Sequence, residues 1–274
     1  MLIFKTEKLT SRVTRIIGFT NELMYLVEGD KKAALLDTGS GIGSLKACVH
    51  KLTTKPIIVL LTHGHVDHAM GAAEFDEVYM NHVDDYIYLE HGDMSFRTEG
   101  LSMLPLESGI TEADLIPTAP VENFHDLHAG DVFDLGGVSV EVFDCAGHTK
   151  GSVVLLINGE NSILLGDACN YFTFMFDNYS TTITEYKKNL QALSLALKDR
   201  KIDTVYLSHG DGNGHQDLIE DIISVCSDIQ KGKIDDIPFI FQGKDGLIAK
   251  AMDSDMKRVD GGKGNIVYNK NRIW

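Results

Sequence analysis

The sequence predicts an α/β fold in which two β-sheets pack face to face with helices on their outer sides. Three observations carry this expectation. Short apolar and β-branched runs, bounded by turn residues, recur through both halves of the chain, roughly 1–120 and 121–274. In each half the strand-like runs give way to segments with apolar residues at helical spacing. Hydrophobic residues make up 43% and charged residues 24% of 274 residues, the balance of a globular protein with a core large enough to need no disulfide or structural metal. Strands interleaved with helices bury their apolar faces by layering, which gives sheets inside and helices outside.

Residues 12–17 (RVTRII), 22–28 (ELMYLVE) and 32–36 (KAALL) read as strands, with Gly29-Asp30 as a turn and Asp37-Thr38-Gly39 closing the third. A helix is expected across 43–51, where Leu45, Val49 and Leu52 share a face. Residues 57–61 (IIVLL) form a continuous apolar run, suited to a strand buried on both faces. The more polar stretch 82–118, with Tyr86, Tyr88 and Phe96, reads as two short helices in an insertion that could form a lid. Strands resume at 121–124, 132–135 and 138–143, the last two turning at Gly136-Gly137, and then at 152–157 and 162–166 around Asn158-Gly159. Leu190, Leu193 and Leu197 place a helix over 184–199, with Thr184 as its N-cap. A strand at 204–208 and a helix at 215–230 follow, and the tail is extended at 237–241, 246–250 and 265–268. No repeat, low-complexity stretch or linker interrupts the chain. It is therefore read as a single domain, 1–274, with a lid insertion at 82–118 and an extended tail at 237–274.

The formal net charge is −15, and no run of Lys or Arg is present. Such a chain repels a phosphate backbone, so nucleic acid is not expected as a partner. The four cysteines, Cys48, Cys145, Cys169 and Cys226, form no C-x-x-C pair, which argues against a zinc ribbon or redox dithiol. Met1-Leu2-Ile3-Phe4 runs into charged residues without a long apolar segment, and no 18-residue apolar stretch occurs. The expectation is a cytoplasmic protein with no membrane partner, acting on a small molecule. The extended tail, ending in Trp274, could extend a sheet edge or serve a homodimer.

The chemistry concentrates in "LLTHGHVDHAMG", residues 60–71, with His63, His65, Asp67 and His68 in six positions. If 63–67 is extended, residues 63, 65 and 67 point to one side. His68 breaks the alternation and must come from a turn or helix start. Ligands aimed two ways suit two metal ions better than one, and imidazole with carboxylate suits zinc, iron or manganese. Gly64 is read as leaving space beside the metal. More ligands follow at strand ends: His148 in "CAGHTKGS", Asp167 in "LLGDAC" and His209 in "YLSHGDG". Strand ends on one sheet edge converge, and a carboxylate such as Asp167 can bridge two cations. The other histidines, His50, His82, His91, His125, His128 and His215, are read as structural or surface residues.

In this order, "THGHVDHAMG", "GHTKGS", "LLGDA" and "LSHGDG", with the opening "MYLVEGDKKAALLDTG", resemble the metallo-β-lactamase superfamily over about residues 12–230. The resemblance implies an αββα four-layer sandwich of two mixed β-sheets flanked by helices. It implies that His63, His65 and His148 hold one metal, that Asp67, His68 and His209 hold the second, and that Asp167 bridges both. Asp37 would steady the ligand loop from behind. The cofactors implied are two divalent ions, zinc ahead of iron or manganese.

The reaction implied is attack of a metal-bridging hydroxide on a small ester, lactone or thioester, with Asp67 handling the proton. The unbroken ligand set looks like the glyoxalase II and lactonase branches. A phosphodiesterase, or a mononuclear-iron dioxygenase of the persulfide dioxygenase type, is the alternative. Tyr171, in "NYFTFMF" directly after Asp167, could reach a substrate oxygen, as a tyrosine near this position does in the lactonase branch.

Overall fold

A computed structural model describes residues 2–102, 104–105, 108–241 and 243–274. The chain divides into two compact units. The first comprises 1–142, 157–160 and 208–210, and the second 143–156, 161–207 and 211–274.

In the first unit the strands are β1 (Lys5–Lys8), β2 (Val13–Ile17), β3 (Leu23–Glu28), β4 (Ala33–Leu36), β5 (Ile57–Leu60), β6 (Val78–Met80) and β7 (His125–Asp126). They form one mixed sheet in sequential order, antiparallel from β1 to β4 and parallel from β4 to β7. Helix α1 (Leu45–Leu52) makes the first parallel crossover, and the Ser44 side chain caps it by accepting from Ala47 N–H. Helix α2 (Val66–Ala69) follows β5, and α3 (Asp85–His91) and α4 (Met94–Leu101) follow β6. The core joins Ile16, Met24, Leu26, Leu35 and Val59 of the sheet to Leu45, Val49 and Tyr88 of the helices. Strands β8 (Val132–Asp134) and β9 (Ser139–Asp144) form an antiparallel hairpin. Gly136 and Gly137 turn it at φ +86° and +72°, a region open to glycine without strain.

The second unit contains β10 (Val153–Asn158), β11 (Ser162–Leu164), β12 (Phe172–Met175), α5 (Ile183–Leu197), β13 (Thr204–Tyr206), β14 (Asn213–Gly214) and α6 (Leu218–Gln230). It ends with β15 (Ile237–Phe241), β16 (Lys244–Ile248) and β17 (Asn265–Tyr268). Strands β14, β13, β11 and β10 follow one another in that order, and a separate sheet runs β12-β17-β16-β15. The core packs Val154, Ile163 and Leu165 against Tyr186, Leu190 and Leu193 of α5, Ile222 and Val225 of α6, and Ile266 and Tyr268 of β17. In the second sheet β15 is the last strand, and Pro238, which has no N–H, is tolerated there because an edge strand leaves one row of backbone groups unpaired.

Three sequence expectations shift. Residues 121–124 are not a strand: Asn123 N–H donates to Pro120 C=O, closing a short 3₁₀ turn before β7. Helix α5 begins at Ile183, with Thr182 as its cap. The Thr182 hydroxyl accepts from Glu185 N–H while Glu185 accepts from Thr182 N–H, a reciprocal capping box. The Thr184 hydroxyl instead donates to the Ile273 carbonyl. Strands β1, β6, β7, β12 and β14 were not expected. Among the described residues no helix is long and apolar enough to cross a membrane.

Candidate metal centre

The first unit gathers five of the expected ligands behind β4 and β5. Asp37 sits one residue past β4 at φ +62°, a left-handed conformation that Asp tolerates better than most residues. Its Oδ1 accepts from Thr62 N–H at 2.7 Å, and its Oδ2 accepts from the Thr62 hydroxyl at 2.9 Å. The same Oδ2 lies 2.8 Å from His68 Nδ1. A carboxylate there holds the proton on Nδ1 and leaves Nε2 as a lone-pair donor.

His65 caps α2: its carbonyl accepts from His68 N–H at 3.1 Å and Ala69 N–H at 3.0 Å. The expected extended run therefore stops at His65, and Asp67 shares a helical turn with His68 instead of a strand face with His63 and His65. Thr38 pins this turn, since its N–H and hydroxyl both donate to the His68 carbonyl, at 2.7 and 3.0 Å. His209 is anchored through its neighbour, whose Ser208 carbonyl accepts from Leu23 N–H at 2.8 Å.

Within this unit His63 Nε2 and His65 Nδ1 stand 3.1 Å apart. Asp67 Oδ2 lies 3.5 Å from His68 Nε2 and 3.3 Å from His209 Nε2. In the second unit His148 Nε2 lies 3.7 Å from Asp167 Oδ2, while His148 Nδ1 donates to the Phe174 carbonyl at 2.8 Å. Asp167 is held by Asn170, whose amide donates to Oδ1 at 3.3 Å. Charge-assisted hydrogen bonds between such groups run about 2.7–2.9 Å. Two donors on one tetrahedral ion with bonds of about 2.0–2.1 Å lie about 3.3 Å from each other. The imidazole–carboxylate spacings match ligands of a shared cation better than ion pairs. The donor set thus fits a divalent metal, with His68 and His148 each fixed through Nδ1 and presenting Nε2.

Burial alone would push the Asp67 carboxyl up, but the neighbouring His68 and His209 imidazoles outweigh it and hold it well below the usual carboxylate range. Asp67 is therefore an anion at neutral pH. Tyr171 is partly exposed, 39%, and lies by the His215 backbone and the Asp211 carboxylate; burial first, then Asp211, raise its phenol.

His91, read as incidental from the sequence, and Asp84, which the sequence reading did not single out, are part of this surround. His91 stacks on His65, with ring centroids 4.9 Å apart and planes 21° apart, and its Nδ1 accepts from Val66 N–H at 3.2 Å. Its other face stacks on Phe96 at 4.4 Å. Asp84 Oδ2 accepts from Gly64 N–H at 3.1 Å. A Cβ on Gly64 would come within 2.8 Å of the Asp84 carbonyl oxygen, so the glycine makes room for the Asp84 backbone and not for a metal. No local pattern marks His91; only its contact with His65 does.

A family model described as the metallo-beta-lactamase superfamily matches residues 17–209, more than half of the chain. The chain belongs to the metallo-β-lactamase superfamily. The solved structure of a metallo-beta-lactamase from Pontibacter korlensis superposes with a TM-score of 0.56 at 18% identity, covering 81% of this chain and 98% of that one. This shows the superfamily's mixed α/β fold. An uncharacterised protein of Mycobacterium tuberculosis is 30% identical over 141 residues, 49% of this chain and 61% of that protein. The acyl-coenzyme A thioesterase MBLAC2 of Bos taurus is 27% identical over 159 residues, 53% of this chain and 57% of that protein. The matches thus span about six tenths of these relatives' length. Superfamily membership and the His/Asp set together point to divalent metal binding.

Proposed function

We propose that this protein is a metal-dependent hydrolase that cleaves a small ester, lactone or thioester at a centre of two divalent ions, zinc ahead of iron or manganese. In this reading His63, His65 and His148 hold one ion, Asp67, His68 and His209 hold the other, and Asp167 serves both. The spacing of 3.3 and 3.5 Å from Asp67 Oδ2 to two imidazole Nε2 atoms, one of them locked by Asp37, carries the reading. The thioesterase name of the MBLAC2 relative favours the thioester within this class.

Bound there, divalent ions lower the pKa of a water toward neutrality and polarise the acyl oxygen. The chain's own residues do the rest. Asp37 and the Phe174 carbonyl fix the tautomers of His68 and His148. Asp67, ionised at neutral pH and turned to His68 and His209 through Oδ2, would keep its other oxygen, Oδ1, to accept a proton as water becomes the nucleophile. The oxygen of water joins the acyl carbon, the acyl–sulfur or acyl–oxygen bond breaks, and the protons pass to the departing thiol or alcohol and to solvent. In this reading Tyr171 donates to a substrate oxygen, and the insertion that follows β6 serves as a lid.

The test is metal content measured beside turnover on a panel of esters, lactones, thioesters and phosphodiesters. Two metals per chain with acyl hydrolysis is the expected result, and His63→Ala and Asp167→Ala should lose metal and turnover together. A metal-free variant with full turnover overturns the mechanism. One iron per chain with oxygen consumption assigns the dioxygenase reaction instead, and turnover confined to phosphodiesters assigns that class.

A further inference from the structure

The sheet β12-β17-β16-β15 has two unlike faces. Met175, Ile266, Tyr268 and Leu247 point into the main core of the second unit. The strand register places Phe172 and Phe174 on the opposite face, in line with Val267, Ile248, Phe239 and Phe241. There the rings form a ladder. Phe174 stacks on Phe241 at 5.1 Å and on Phe239 at 5.9 Å, and Phe239 lies parallel to Phe241 within 9°. Phe172 meets Phe174 and Phe239 edge-on at 5.5 and 5.7 Å. The ladder is only half covered: Phe241 is 40% exposed. Rings that pack on one another in offset and edge-on pairs are held in place before any ligand arrives.

This face is hydrogen-bonded to the candidate ligands of its own unit. The Phe174 carbonyl accepts from His148 Nδ1 at 2.8 Å. At the other end of the strand Asn170 donates to Asp167 Oδ1 through its amide nitrogen and accepts from Phe172 N–H at 2.7 Å through its amide oxygen. One short strand thus carries two phenylalanines on one face, holds His148 through a backbone carbonyl and reaches Asp167 through the Asn170 side chain.

We propose that this aromatic face is the wall on which the apolar acyl arm of the substrate lies, so that the enzyme selects medium-chain acyl groups over acetyl. The inference rests on the hydrolase reading and names its substrate class. The occupant follows from continuity with His148 and Asp167: His148 presents Nε2 to the candidate centre while its Nδ1 is held by the strand that bears Phe172 and Phe174, so an arm longer than acetyl that passes the imidazole meets these rings. An apolar arm laid on half-exposed rings takes them out of water, at about 0.8 kcal/mol per fully buried methylene. On an open wall, half to all of that corresponds to roughly a two- to fourfold gain per methylene.

The experiment uses the metal-loaded full chain and two series that share one leaving group, N-acetylcysteamine. Acyl thioesters from acetyl to octanoyl report kcat/KM. The matching S-alkyl thioethers, from ethyl to octyl, cannot be hydrolysed and report Kd by calorimetry. The expected result is tighter binding and higher kcat/KM with each methylene, and a collapse of the octanoyl-to-acetyl ratio in Phe239→Ala/Phe241→Ala. Ile240→Ala, on the other face of β15 and 71% exposed, should keep the ratio. Phe241→Leu should keep part of it, which separates lost apolar contact from misfolding.

Equal Kd for ethyl and octyl thioethers overturns the wall even if acyl compounds are hydrolysed. Octyl binding that Phe239→Ala/Phe241→Ala abolishes, without turnover of any thioester, keeps the wall and removes the hydrolase reading. A wild-type dimer that this variant dissociates, with no chain-length effect, assigns the face to a second copy of the chain and overturns the proposal.

Discussion

Asp37 Oδ2 and His68 Nδ1 stand 2.8 Å apart, and both side chains are 1% exposed. The same carboxylate accepts from Thr62 N–H and the Thr62 hydroxyl, so one buried anion ties the end of β4, the end of β5 and the first turn of α2 together. A buried carboxylate with three partners orients His68 without touching a substrate.

Asp37→Ala should therefore lower metal affinity by roughly 10- to 100-fold, the usual cost of losing a partner behind a ligating histidine. Asp37→Asn should fall between, because its amide oxygen can still accept from Thr62 N–H. Competition with a chromogenic chelator measures both.

His91→Ala should remove the stack on His65 and the acceptor for Val66 N–H, costing about 1–2 kcal/mol in unfolding free energy. His91→Phe keeps the stack and loses only the acceptor, so its loss should be smaller. Denaturant unfolding of the two variants beside the wild type separates the contributions.

Burial pushes the Cys145 and Cys226 thiols up to about 12 and holds Cys169 well above its ordinary value. Cys48 is half-buried, and burial raises it as well, partly offset by Lys51. A thiol-exchange reagent at pH 8 should modify Cys48 slowly and alone in the native protein, and all four cysteines in denaturant.

Burial would raise the Asp236 carboxyl, but Lys270 at 2.6 Å and the Tyr268 hydroxyl at 2.5 Å outweigh it and hold it below the ordinary value. A carboxyl lowered by folding contributes stability that is fully present above its unfolded pKa of about 3.9. That contribution is lost as pH falls from there through the folded value. Asp236→Asn, which tolerates the φ of +53°, should flatten the fall of Tm between pH 5 and 3. Thermal scans across that range check it.

Much of this architecture is legible in the sequence because the signals are local. Strand β17 lies where 265–268 places it, and β2 to β5 follow their apolar runs within a residue. The cap of α5 was also legible: Thr182 and Glu185 have the three-residue spacing of a capping box, while Thr184 is followed three residues on by a lysine. Strand β12 hid in plain alternation, its Phe172 and Phe174 standing out as aromatics more than as one face of a strand. His91 lies 26 residues from His65 and meets it only by the folding of α3 beside α2, a contact no local pattern encodes. The turn at Val66 was equally hidden, because Thr38, far back in the chain, decides it.

Pro238 gives the aromatic sheet a property of another kind. "IPFIF" at an open edge has the composition of a segment that templates cross-β stacking between chains. A proline there withholds one donor from any incoming strand and interrupts the repeating ladder a fibril needs. Replacing that single imino acid would restore the missing donor and leave a phenylalanine-rich edge with nothing in its own backbone to interrupt pairing with another chain.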